Sequence, residues 1–79
     1  MNIEGIREYY ESEYRSTKLA LGAVPRYWIT NEEIIHNAIQ RLLGVAQCAQ
    51  YCGMTYDEAD KLYSEYRQKF EALGEEENV

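Results

Sequence analysis

The strongest constraint on this chain is a stripe of apolar residues through its middle third. Ile34, Ile35, Ala38, Ile39, Leu42, Leu43, Val45, Ala46, Ala49 and Cys52 recur at helical spacing. At about 100° per residue they all fall within an arc of roughly 180°. Gly44 lies inside the stripe without breaking its phase, which predicts one long helix over 31–52 instead of two short ones. A single packing partner needs only about 100° of apolar surface. This helix is therefore expected to touch two neighbours and to be the central element of the fold.

The flanking sequence supplies those neighbours. A first helix is predicted over 2–21, with Asn2 as its N-cap and Glu4 in the first turn, where the helix dipole favours a negative charge. Ile3, Ile6, Tyr10, Tyr14, Thr17 and Leu21 share one face of it. Most of EYYESEYR reads as its solvated side. Gly22 fits a C′ residue, and Pro25 cannot easily continue the helix. Thr30 with Glu33, and Thr55 with Glu58, stand at capping-box spacing before the second and third helices. The third helix, over 56–73, carries Ala59, Leu62, Tyr63, Tyr66, Phe70 and Leu73 on one face and a Glu65–Lys69 pair at i,i+4. Gly74 and the acidic residues after it read as the end of order, giving one helical domain over 1–74 and a disordered acidic tail over 75–79. The expected fold class is all-α, a small three-helix bundle. Short connections favour antiparallel packing of the last two helices, and a helix-turn-helix-like arrangement is the alternative.

Charge and length narrow the function classes. Seventy-nine residues make one domain with a small core, which calls for good helix packing or oligomerisation. Fourteen acidic against eight basic residues leave a net charge of −6, the wrong sign for phosphate backbones and anionic lipids. No run approaches the roughly 18 apolar residues of a membrane span. The opening MNIEGIREYYESEYR has no apolar signal-peptide region, so a cytoplasmic, reduced setting is expected. Cys48 and Cys52 lie four apart on one predicted helix, a poor geometry for a disulfide. Cys52 on the stripe and Cys48 at its edge read as packed, slow-reacting thiols, with Cys52 the deeper.

Ala49, Gly53, Ala59 and Leu62, with Cys52 and Met54 beside the glycine, carry a further pattern. On these residues the segment from Val45 to Arg67 resembles helix-turn-helix regulators. The resemblance implies a small residue where two helices cross, a glycine turn, two apolar residues docking the second helix, and DNA binding through 45–67. The chemistry departs from that family at the start of the reading helix. Tyr56, Asp57, Glu58, Asp60 and Lys61 would face the DNA, and three of the five are acidic.

Candidate chemical sites are few. Glu33 and His36 form one Glu-x-x-His half-motif of the di-iron bundles, but they sit at or beyond the stripe's margin and read as a capping glutamate and a rim histidine. His36 is three to four turns from the cysteines on the same helix, so no base stands beside a thiol. No catalytic, metal-binding or cofactor-binding residue is assigned, and no cofactor is expected. The eight tyrosines are more informative. Tyr10, Tyr14, Tyr63 and Tyr66 fall on apolar faces, while Tyr9 and Tyr51 point off them. Tyr27 and Trp28 sit in the apolar connection GAVPRYWI, where Trp28 either plugs a bundle end, with Ile29 stapled near Ile34, or faces a partner. Aromatics that combine apolar area with a polar tip concentrate at interfaces. The sequence thus points to a small non-enzymatic protein–protein interaction module, with Tyr9, Tyr27, Trp28 and Tyr51 as the surface. The partner is a second copy or another protein; nucleic acid and membrane are not expected.

Overall fold

The computed structural model describes residues 2–22 and 29–77. It contains three helices, α1 (Ile3–Leu21), α2 (Asn31–Tyr51) and α3 (Tyr56–Glu77), and no strand among the described residues. The N-termini form as their capping residues dictate. The Asn2 side chain accepts a hydrogen bond from the Gly5 N–H at 2.7 Å. Thr30 and Glu33 form a complete capping box, each side chain accepting from the other's backbone N–H. At α3 the Thr55 hydroxyl oxygen accepts from the Glu58 N–H at 3.2 Å. There Glu58 returns to the Thr55 hydroxyl, accepting its hydrogen at 3.0 Å.

The turn between α2 and α3 explains why the central helix stops. The Met54 N–H donates to the Ala49 carbonyl and the Gly53 N–H to the Gln50 carbonyl, the paired bonds of a Schellman motif. That closure needs a residue at positive φ, and Gly53 supplies it at 108°. Gly22, by contrast, caps α1 at φ −90° and uses none of glycine's freedom. The turn leaves Cys52 as the C-cap of α2, past the last turn that faces the core. Both cysteines are exposed, which corrects the packed placement expected for them. The stripe's phase carried one residue too far, because periodicity does not register where the backbone leaves the helix.

Helix directions follow from which residues meet. Gly74, near the end of α3, lies so close to Ile35, near the start of α2, that a Cβ on it would stand 2.8 Å from the Ile35 Cδ1. With the tight turn joining their other ends, α2 and α3 run antiparallel along their whole lengths. The molecule extends 41 × 18 × 17 Å, the proportions of a bundle and not of two helices crossed near a right angle. Between α1 and α3 the pairs Arg7–Glu65 and Glu11–Lys69 each advance by four residues, so these two helices are parallel. The topology is up-down-up.

The core is built from the faces that the periodicity defines. Ile6, Tyr10 and Leu21 of α1, Ile35, Ala38, Leu42 and Ala49 of α2, and Leu62, Tyr66, Phe70 and Leu73 of α3 form one buried cluster. Ala59 is buried as well, so Ala49, Ala59 and Leu62 pack around the Gly53 turn as the helix-turn-helix spacing requires. They do so in an antiparallel hairpin. The third helix also continues through Gly74 to Glu77, beyond the expected end at 73.

The same small side-chain change should act with opposite sign at two of the glycines. Gly44 is exposed on α2 and a Cβ there meets nothing within 4 Å. Gly44→Ala is expected to stabilise the fold by about 1 kcal/mol through helix propensity. Gly53→Ala has equal room but must adopt the positive φ, and is expected to cost about 1–2 kcal/mol. Urea denaturation of the two variants against the native chain measures both.

Candidate interaction surface

Three grooves run between the helices, and the way each is bridged decides which one is available. The α1–α2 groove is crossed by Arg41, whose Nη2 and Nε donate to the Glu13 carboxylate at 3.0 and 3.1 Å. Tyr9 joins this group by donating its hydroxyl to the other Glu13 oxygen at 3.1 Å. Burial and the neighbouring Glu13 carboxylate together raise the Tyr9 pKa. The α1–α3 groove is crossed by Arg7–Glu65 at 3.6 Å and Lys69–Glu11 at 3.5 Å. Lys69 also lies 4.7 Å from the centre of the Tyr66 ring. The expected Glu65–Lys69 pair along α3 is not what these charges make. Both face α1, and each takes a partner there. Nor is the tyrosine-rich stretch of α1 as solvated as its composition suggests, since Glu11, Glu13 and Tyr14 are all half-buried.

Beneath the α1 bridges lies an aromatic layer. The Tyr10 and Tyr66 rings meet edge-on with centroids 5.2 Å apart, and Tyr14 meets Phe70 in the same manner at 5.6 Å. The Tyr10 hydroxyl, fully buried, donates to the Leu42 carbonyl at 2.9 Å. The Tyr66 hydroxyl donates to Glu11. Burial pushes both phenols up to about 12, with the Glu11 carboxylate adding to the effect on Tyr66. The same hydrogen bond from Tyr66, helped by Lys69, holds the Glu11 carboxyl below its ordinary value.

The α2–α3 groove is different: among the described residues no ion pair spans it. Arg67 pairs instead along its own helix with Glu71 at 3.0 Å, which raises the guanidinium's pKa. The floor of the groove is apolar, made by Ile35, Ile39 and Leu43 from α2 with Tyr63 from α3. Ile39, Leu43 and Tyr63 are only half-buried. Glu32, His36 and Glu75 stand at its end near the start of α2, all exposed. From Ile35 to Leu43 the floor runs about 12 Å, roughly two helical turns.

The aromatic surface expected from sequence is placed differently. Tyr51 is 92% exposed at the end of α2, beside the turn, with Tyr56 exposed across it. Tyr9 is 39% exposed and lies on α1, at the level where Tyr10 meets Leu42. Leu42 and Tyr51 are nine residues apart on α2, about 13 Å along the axis, so Tyr9 and Tyr51 stand at different heights of the bundle. Tyr27 and Trp28 lie outside the described residues, as does the plug expected at Trp28. Sequence reasoning missed the groove because Ile39, Leu43 and Tyr63 share their stripes with residues that are fully covered. The stripes carry no signal for it, since an α2 arc of roughly 180° is no wider than two partners of about 100° each would cover. Glu33 and His36 are both exposed, and the Glu33 carboxylate accepts from the Thr30 backbone. Comparison with protein-family models, with curated proteins and with solved structures gave no match. No helix among the described residues is long and apolar enough to cross a membrane.

Two outcomes follow from these placements. Cys48 and Cys52 should react with a thiol reagent about as fast in the native chain as in urea, and a native rate many-fold slower would contradict their exposure. The phenols set an alkaline limit. Their folded pKa values lie above the unfolded value, so the stability they confer is complete below pH 10 and lost as pH rises towards about 12. Glu11 acts in the opposite sense, with its contribution present above the ordinary carboxylate pKa and lost as pH falls through its lowered one. Absorbance at 295 nm during a base titration should show two tyrosines ionising together with the loss of helical circular dichroism.

Proposed function

We propose that this chain is a small non-enzymatic protein-interaction module whose contact surface is the α2–α3 groove. The observation that carries this reading is the half-buried apolar floor of Ile39, Leu43 and Tyr63, left unbridged while both other grooves are crossed by ion pairs. A contiguous apolar strip between polar rims is what a helix or a second domain covers on association. The small core favours this, since association buries surface that folding alone leaves wet. The exposed rings of Tyr51 and Tyr56 stand outside this groove, at the turn.

A catalytic role has less support. His36 is 12 residues from Cys48 on α2, about 18 Å along the axis, so no base stands beside an exposed thiol. DNA binding through 45–67 draws support only from the Ala49, Gly53, Ala59 and Leu62 spacing. Arg41, Lys61 and Arg67 do not share one face: Arg41 lies on the α1–α2 groove, Lys61 on the α1–α3 groove and Arg67 on the α2–α3 groove. Arg26 lies outside the described residues. The exposed start of α3 presents Asp57, Glu58 and Asp60, which oppose a phosphodiester backbone.

Site-specific photocrosslinking tests the reading. A photoreactive residue at Leu43 or Ile39 is expected to give protein adducts in cells, to this chain or to another, while one at the exposed Gln68 gives none. Adducts from Gln68 alone would move the surface elsewhere. Leu43→Lys, at a half-buried position where the long side chain can reach water, should leave the urea midpoint nearly unchanged and abolish the adducts from Ile39.

A further inference from the structure

One other surface feature matches the groove in chemistry. Leu19, on the outer side of α1, is 76% exposed and is the one aliphatic residue among the exposed large hydrophobics of the described residues. Arg15 and Lys18 flank it, one turn and one residue before it, and together with Gly22 they line a shallow hollow. Among the described residues neither cation takes part in an ion pair; those pairs use Arg7, Arg41, Arg67 and Lys69, and Arg15 acts on Glu11 only through its charge. Leu19 therefore projects as an apolar knob between two cations. The groove offers the complement, an apolar floor at Ile39 and Leu43 with the Glu32 and Glu75 carboxylates and His36 at its end, and with Arg67 on its side already paired to Glu71. The Glu32 and Glu75 carboxylates are likewise outside the ion pairs of the described residues.

The two features cannot meet within one molecule. The knob is on the outer side of α1, and the groove lies between the two helices that α1 packs against. We propose that they meet between copies: the Leu19 knob of one chain seats in the α2–α3 groove of the next, with Arg15 and Lys18 against Glu32 and Glu75. This rests on the reading of the groove as an interaction surface and names its occupant as a second copy. The contact joins two different patches, so it is heterologous, and each added chain leaves one free knob and one free groove. Assembly then runs beyond a dimer, into a ring or a chain. The net charge of −6 repels copies at long range, and the local pairing of opposite charges fixes which patches can approach.

A complementation experiment tests this on the full chain. Sedimentation velocity is run across a concentration series on the native protein, on Leu19→Glu and on Leu43→Lys. Both substitutions fall on exposed or half-buried positions, and circular dichroism confirms folding; Leu43→Gln replaces Leu43→Lys if that variant unfolds. The native chain should form dimers and larger species, and each variant alone should be monomeric. An equimolar mixture of the two variants should form a dimer and stop there, because the pair retains one intact knob and one intact groove. Adding Arg15→Glu and Lys18→Glu to the chain that supplies the knob should weaken that dimer at least tenfold. A native chain that stays monomeric throughout overturns the proposal, and groove adducts to a different protein would then leave the interaction-module reading standing. A native oligomer dissolved by Leu43→Lys but not by Leu19→Glu, or variants that fail to complement, would assign the groove to a symmetric contact and overturn it too.

Discussion

The bond on which this fold depends is the one from the buried Tyr10 hydroxyl to the Leu42 carbonyl. A tyrosine can enter a core only if its hydroxyl finds a partner there, since leaving one unpaired costs about 1–3 kcal/mol. A helical carbonyl has a second lone pair to offer, and Leu42 sits at the centre of the buried face of α2. The bond therefore fixes α1 against α2 in both rotation and height. The Tyr10 ring, so placed, sets the edge-on contact with Tyr66, and the Tyr66 hydroxyl reaches back to Glu11. A chain of contacts that starts in the core thus ends in the salt bridges of the surface.

This arrangement accounts for two of the eight tyrosines, Tyr10 and Tyr66, whose rings fill the core while their hydroxyls take partners. A bundle of 79 residues has few core positions, and each must fill volume and also specify a geometry. Leucine would supply volume alone. Tyrosine adds a directional bond, at the expense of finding its hydroxyl a partner. The surface ion pairs over this layer are individually worth little, about 0–1 kcal/mol each. Their effect is one of selection among packings, and it consumes the charges of two of the three grooves. The third groove stays open because Arg67, which lines it, is taken up by Glu71 on its own helix instead of by a carboxylate of α2.

Much of this was legible in the sequence, for identifiable reasons. Asn2, Thr30 and Thr55 announced the helix starts because capping is local chemistry between residues three apart. The buried faces were legible because each helix packs on one side only, and its period survives in the residue order. The failures share a cause, which is that they depend on what lies across a gap. Glu65 and Lys69 look like an intrahelical pair until α1 places Arg7 and Glu11 opposite them. Ile39 and Tyr63 look like core until the positions of three helices show which part of each stripe stays uncovered. Cys52 fails for a different reason, the Schellman turn at Gly53, whose glycine was read correctly but whose reach back into α2 was not. Tyr9 and Tyr51 lie off the apolar faces as expected, and only the fold reveals that they stand at different heights.

The parallel seam between α1 and α3 has a consequence for alternative packings. Helices in a small bundle can slide past one another by one turn and still bury a similar apolar face, because their stripes repeat. Here a one-turn shift in one direction would set Arg7 opposite Lys69, and in the other it would set Glu11 opposite Glu65 and Arg15 opposite Lys69. Either displaced arrangement brings like charges together where the native one brings opposites. Four side chains that add little to the depth of the native minimum thus raise its neighbours, acting as a ratchet that leaves the bundle a single height at which to rest.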